Sequence, residues 1–426
     1  MLTMKKAPAS ATGAPAPRTP APVASAPASI LDDPTLSAAL FHAWSGDPLV
    51  LLDSPPGAGK TFLITHLAKQ LAERAGLRVA IAGQTRAQSI DVASRIAALG
   101  TKVAFRDGAK RPRPHGLHPK VIFRPGKHAQ DCPIVVATAA RWVRTNPRAH
   151  RADVFLIDEA YQMTYATLGA LGGFAPQFLM VGDPGQISPV VTGETQRWAN
   201  DPAGPHVPAP EAILATYRDQ VTRLALPQTR RLGPATTDLI APAFYPNLPF
   251  TSARPQIDLI NPDGSVVPEL TSEGISPRSG HDRLIAHTAA ARVRELLTTS
   301  ILDATGARAL TPADVAVVTP HVHQAAQVSA LLADLGPEVM IGTANSLQGS
   351  ERPAVVVIHP MTGAVEATEF NLDPGRACVA LSRHRAHASL IYDTRTPHVL
   401  AQARTADPDN PLIPVHRRLL EAMNAR

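Results

Sequence analysis

The chain has 426 residues, 44% hydrophobic, 18% charged and 4% aromatic, which is ample for two domains packed mainly through aliphatic side chains. Its two cysteines, Cys132 and Cys378, are too far apart for a disulfide framework or a zinc-ligand spacing and suit a reducing, cytoplasmic compartment. A net charge of +6 suits an anionic partner, and no window has the apolar length of a membrane span, so no membrane association is expected. All lysines lie at or before Lys127, which leaves cationic work downstream to arginine, whose planar fork fits phosphate.

Residues 1–30 alternate alanine and proline and carry Lys5 and Lys6 without the apolar stretch of a secretory signal. The expectation is a disordered, extended tail that could hold a protein partner. From residue 31 the pattern alternates strand and helix. "PLVLLD" (48–53), "LRVAIAG" (77–83), "IVVAT" (134–138), "VFLID" (154–158) and "FLMVGD" (178–183) are continuous aliphatic runs, with helical stretches Lys60–Ala75 and Arg86–Leu99 between. Runs buried on both faces predict a parallel sheet in an α/β domain spanning 31–195.

A polar, Pro/Gly-rich segment near 191–212 reads as a linker, and a second α/β domain is expected over 205–426. It opens with "TRLAL" and continues through "IDLI", a helix near His281–Thr299, "DVAVVTP", a helix over His321–Leu335, "EVMIGT", "AVVVIHP" and "ASLIYD". Residues 261–280 and 396–412 read as surface loops.

"SPPGAGKT" (54–61) lies between a strand and a helix, as a phosphate-cradling loop must. Pro56, Gly57, Ala58 and Gly59 let backbone N–H groups approach phosphates, and the helix N-terminus adds its dipole. Lys60 reaches the β- and γ-phosphates in such loops, and the Thr61 hydroxyl ligates Mg²⁺. Ser54 stands where the pattern has its first glycine. "VFLIDEAYQM" ends a buried strand with two carboxylates, placing Asp158 as a second Mg²⁺ anchor and Glu159 as the general base for an attacking water. Gln186 of "VGDPGQISPV" can accept from water and donate to a phosphate. Each of these would be a weak signal alone, since a lone Asp-Glu commonly caps a helix and "GDPGQ" is an ordinary turn.

Taken with "LPQTRR", "VVTPHVHQ", "GTANSLQGSERPAVVV" and "VALSRHR", these motifs resemble the superfamily 1 helicases over roughly residues 45–395. The likeness is to their 5′-to-3′ branch, typified by the nonsense-mediated-decay helicase. The resemblance implies two tandem RecA-like lobes with ATP in the cleft between them. Arg230 and Arg383 then arrive from the second lobe to complete the γ-phosphate site, beside Gln348, Gly349 and the ribose-contacting Glu351. It further implies nucleic-acid contacts from Gln84, Thr85 and Thr138 in the first lobe and Thr319, Thr343 and Ser346 in the second. Each of those hydroxyls is singly as consistent with an ordinary helix cap.

Two departures leave adenine selectivity open, with ATP as the default: no glutamine precedes the P-loop in "TLSAALFHAWSGDP", and Thr229 stands where the family often places a base-stacking aromatic. The basic stretch 105–128, with Arg106, Lys110, Arg111, Arg113, Lys120, Arg124 and Lys127 against Asp107, reads as a loop or small hairpin along the nucleic-acid path, or as a solvated loop. The expected activity is an ATP-driven motor acting as a monomer on single-stranded nucleic acid, DNA rather than RNA, moving 5′-to-3′. The alternative is an ATP-dependent clamp or remodelling switch that does not unwind. A ring-forming AAA+ ATPase would need a helical lid after one lobe, against the second alternation.

Overall fold

A continuous aliphatic run can bury both faces of a strand only inside a sheet covered by helices on each side. The computed structural model describes residues 33–124, 131–191 and 193–424, so the predicted tail and Lys127 lie outside the described residues. The chain begins with α1 (Pro34–Ser45), capped by the Asp33 carboxylate, which accepts from the N–H groups of Thr35 and Leu36. There follow β1 (Leu49–Asp53), α2 (Lys60–Glu73), β2 (Val79–Gly83), α3 (Arg86–Ala98), β3 (Val103–Phe105), β4 (Ile122–Phe123) and β5 (Ile134–Thr138). Next come α4 (Ala139–Val143), β6 (Val154–Asp158), α5 (Tyr165–Leu171), β7 (Gln177–Gly182), α6 (Ala209–Tyr217) and β8 (Val221–Ala225).

These strands form one parallel sheet ordered β4-β3-β5-β2-β6-β7-β1-β8. Alternate residues feed two cores, as the two-residue period of a strand requires. Val50, Leu52, Ile81 and Leu156 pack with α1, α2 and α3. Leu51, Ala80, Phe155 and Ile157 pack with α4, α5 and α6 around Trp142.

The second half holds β9 (Gln228–Thr229), α7 (Pro234–Phe244), β10 (Thr251–Ser252), β11 (Ile257–Ile260), β12 (Val266–Val267), β13 (Leu270–Ile275), α8 (Arg283–Leu296), β14 (Ser300–Asp303) and β15 (Gly306–Ala309). It continues with β16 (Val315–Thr319), α9 (Val322–Leu331), β17 (Met340–Thr343), β18 (Arg352–Ile358), α10 (Glu369–Leu372), α11 (Pro374–Leu381), β19 (His384–Asp393), α12 (Thr396–Ala406) and α13 (Ile413–Asn424). Its main sheet is again parallel, ordered β13-β19-β18-β16-β17, with α7, α11 and α13 on one face and α8 and α9 on the other. No helix among the described residues is long and apolar enough to cross a membrane.

Four sequence expectations differ from this fold. "TRLAL", expected to open the second alternation, is β8 and hydrogen-bonds to β1 in the first sheet, while α6 emerges from the expected linker. "IDLI" is β11 and pairs antiparallel with β12 and β14 in a small four-stranded sheet. The 261–280 loop contains β13, an edge strand parallel to β19 whose half-buried polar residues hide its strand character. The 396–412 loop contains α12, whose Pro397 sits in its first turn, where proline is tolerated.

The second lobe also buries four histidines, His359, His384, His387 and His416. Burial lowers the pKa of each, that of His387 from 6.5 to about 4. The unfolded chain takes up that proton near its ordinary value and the native chain resists it, so stability is lost as pH falls from about 6.5 toward 4. At pH 5 His387 alone would remove about 2 kcal/mol. Calorimetry is expected to place the unfolding midpoint at pH 5 at least about 5 °C below that at pH 7.5. Equal midpoints would mean that these imidazoles take up protons without loosening the lobe.

Candidate active site

β1 ends on Asp53, which Tyr161 Oη (2.7 Å) and Arg223 Nη2 (2.6 Å) hold in place. From this anchored end the chain turns through the P-loop. Ser54, in place of glycine, is fully buried, and its N–H donates to Gly182 O at 2.9 Å. Gly57 and Gly59 adopt φ of 72° and 94°, left-handed values that a side chain would disfavour. A Cβ on Gly57 would also fall 2.3 Å from Arg231 Cβ. α2 starts at Lys60, so its unpaired N–H groups and positive end face the loop.

β7 lies between β1 and β6, so the loop after β1 and the acidic pair after β6 flank the Gly182–Asp183 turn. Lys60 Nζ sits 3.7 Å from Glu159 Oε1 and 3.8 Å from Asp183 Oδ2. Glu159 has φ of 53°, a strained value for a non-glycine residue and one that collects at functional sites. Asp158 is buried with Oδ1 lacking any hydrogen-bond partner. Burial, then the charge of Glu159, pushes its carboxyl up to about 7. Gln186 donates to Asp183 Oδ2 at 3.0 Å and accepts from Gln162 and, across the cleft, from Gln348 at 2.9 Å.

The second lobe closes this site with cations. A cavity of about 310 Å³ is lined by Pro56 to Phe62, Glu159 and Gln186 on one side and by Arg230, Arg231, Gly349, Glu351, Arg383 and Arg385 on the other. The Arg230 N–H donates to Gly57 O at 3.0 Å, and Arg230 is among the residues lining the cavity. Thr229 is buried and donates to Pro56 O at 2.6 Å, so it braces the P-loop where an aromatic would stack on a base. Arg383 is buried against Val379 O (2.9 Å), Ser382 Oγ (3.1 Å) and Ser350 O (3.4 Å). Burial, reinforced by neighbouring Arg231, lowers its pKa to about 10. It remains charged at neutral pH.

Three residues at this site went unassigned from sequence. Arg231 pairs with Glu351 at 2.5 Å and donates to Ser382 O, and Arg385 lies 3.9 Å from the same carboxylate. Both are the second arginine of a quoted motif, "QTRR" and "SRHR". Asp183 directly follows β7 within "VGDPGQ" and is fully buried; its position beside Lys60 arises only from sheet order.

The residues expected to grip a strand fall in two groups, at the carboxyl ends of β2 and β5 in one lobe and of β16 and β17 in the other. Thr85 and Thr138 cap α3 and α4, and Thr343 and Ser346 bond each other. Thr319 is buried with its hydroxyl on His321 O, and Gln84 Nε2 donates to Asp158 O at 3.1 Å. All but Gln84 thus make cap or turn bonds, and Thr319 also reaches Gly342 O on the neighbouring strand at 3.4 Å. In the basic stretch, Arg106 meets His150, Arg113 is held by the carbonyls of His118, Pro119 and Val121, and Arg124 donates to Ala109 O. Within its described residues the short strand β4 pairs parallel with β3, so this part of the stretch is a tethered loop and not a hairpin.

A P-loop on one parallel-sheet lobe, closed by arginines from a second, defines a tandem RecA-like P-loop NTPase. An AAA domain model matches residues 37–209 and a second AAA domain model residues 266–395, one on each lobe. The chain is similar to the DNA polymerase alpha-associated DNA helicase A of Schizosaccharomyces pombe, at 34% identity over 83 residues. That match spans 20% of this chain and 13% of the relative. Among solved structures, the PRRSV helicase (18% identity, TM-score 0.44) is matched over 85% of this chain and 56% of its own. The arterivirus nonstructural protein 10 helicase, solved in complex with DNA (17% identity, TM-score 0.44), is matched over 89% and 65%. The chain therefore spans less than two thirds of these relatives. Each lobe thus matches an AAA domain model, and the ordered motifs across both resemble those of the superfamily 1 helicases.

Proposed function

We propose that the protein hydrolyses ATP to translocate along single-stranded nucleic acid, DNA rather than RNA, and to unwind duplexes in the 5′-to-3′ direction. What carries this reading is one observation: Lys60 and Glu159 of the first lobe and Arg230 and Arg383 of the second line the same cavity. The partnerless Oδ1 of buried Asp158 fits a divalent cation, so Asp158 and the Thr61 hydroxyl would hold Mg²⁺. Bound there, the ion supplies positive charge to the phosphate oxygens and an ionised state for Asp158.

The remaining work falls to the chain itself. The P-loop N–H groups and Lys60 cradle the β- and γ-phosphates. Glu159 orients the attacking water and accepts its proton. Arg230 and Arg383 place cationic charge where the transferred phosphoryl group accumulates negative charge. Because they ride on the second lobe, hydrolysis depends on lobe closure. Gln84 links the expected strand-gripping edge to Asp158, and Gln348 links the second lobe to Gln186, so two hydrogen bonds join strand contact to the site.

ATPase activity is expected to rise at least about tenfold with single-stranded DNA, less with RNA, and to lose that stimulation as salt displaces phosphate contacts. Tailed duplexes of both polarities then measure unwinding. No stimulation by either polymer would sink the proposal. Stimulation without strand displacement would replace it with the clamp or remodelling switch.

A further inference from the structure

Tyr245, at the C-terminal end of α7, is buried, and its phenol leaves its own lobe. It donates to Asp183 Oδ1 at 2.7 Å, across the lobe boundary, and lies 3.2 Å from Cys378 Sγ on α11. Asp183 is the carboxylate beside Lys60, and α11 leads directly to Arg383, whose Nε bonds back to Val379 of that helix. One hydroxyl thus touches both the carboxylate that flanks the P-loop lysine and the helix that carries the far-lobe arginine.

The backbone leaves room for this contact at only one residue type. A Cβ on Gly185 would fall 2.4 Å from the Tyr245 ring, and one on Gly375 of α11 would fall 2.8 Å from the Gln186 backbone. Neither glycine has positive φ, so the requirement is close approach of the lobes, not an unusual backbone turn. The carboxylate Asp183 also receives the N–H of Gly185 at 3.0 Å and the amide of Gln186 at 3.0 Å. Removing the phenol would leave Asp183 more dependent on Lys60, in competition with phosphate.

We infer that Tyr245 is a positioning residue for hydrolysis: from the second lobe it orients Asp183 beside Lys60 and so couples the phosphate grip to the closure that delivers Arg383. The inference rests on the hydrolysis reading above. Tyr245→Phe is expected to lower kcat about 10- to 100-fold, with KM for ATP changed less than about threefold, since the P-loop cradle is intact. Gly185→Ala is expected to do the same by displacing the ring while keeping every polar atom.

The thermal midpoint of each variant and energy transfer between dyes on exposed Arg144 and Val365, one on each lobe, complete the experiment. Lower transfer efficiency in both variants is expected. Unchanged kcat, or a kcat loss that only tracks a collapsed midpoint, would overturn the inference. If the parent protein hydrolyses no ATP, the proposed function has failed instead, and energy transfer unaltered by Tyr245→Phe would dismiss the latch as well.

Discussion

Arg383→Ala is expected to reduce ATP hydrolysis about 10³- to 10⁵-fold while nucleotide affinity shifts less than about tenfold. The asymmetry follows from where the guanidinium sits. It lines the cavity from the second lobe and has no carboxylate partner within ion-pair distance among the described residues. Its bonds go to Val379 O, Ser350 O and Ser382 Oγ, neutral acceptors that orient it without cancelling its charge. A cation so arranged contributes most when the phosphoryl oxygens gain charge, which is a transition-state effect and not a ground-state one. Fluorescent-nucleotide titration beside steady-state kinetics separates the two. Hydrolysis within about tenfold of the parent would reduce Arg383 to an internal brace of the 350–383 segment. Arg383→Lys keeps the charge but not the fork, and only partial recovery is expected.

Lys60→Ala is expected to remove both binding and turnover, with kcat/KM falling at least about 10³-fold, equivalent to about 4 kcal/mol of transition-state stabilisation. Lys60 is nearly buried between Glu159 and Asp183. Its loss takes away the phosphate ligand and also leaves two carboxylates without their shared cation, which repels the incoming polyphosphate. The contrast with Arg383→Ala is diagnostic: Lys60→Ala should raise KM as well as lower kcat. Retained nucleic-acid-stimulated ATPase in this variant would refute the site assignment.

Most of the element order was legible in the chain, because both-face burial forces continuous aliphatic runs such as "PLVLLD" and "VFLID" and because glycine and lysine mark the phosphate loop locally. Less legible were elements whose identity depends on a distant neighbour. β8 joins the first sheet because β1 offers a free edge, although it follows the expected linker in sequence. β13 reads as polar loop until β19 supplies its hydrogen bonds. Each hydroxyl expected on a nucleic-acid strand also makes a cap or turn bond, and Thr319 is buried, because a short polar residue at a strand end is also the best helix cap available.

By itself, then, the sequence determined two α/β lobes, the order of the motifs and the residue types at Lys60, Asp158, Glu159, Arg230 and Arg383. Those properties are local: they follow from periodicity, turn chemistry and residue type within a few positions. Only the tertiary structure decided that Asp183 stands beside Lys60, that Arg231 and Arg385 share Glu351, and that Tyr245 crosses from one lobe to the other. Such meetings are set by which strands become neighbours and by how closely two backbones approach across the cleft, and neither quantity is written in any local stretch of chain.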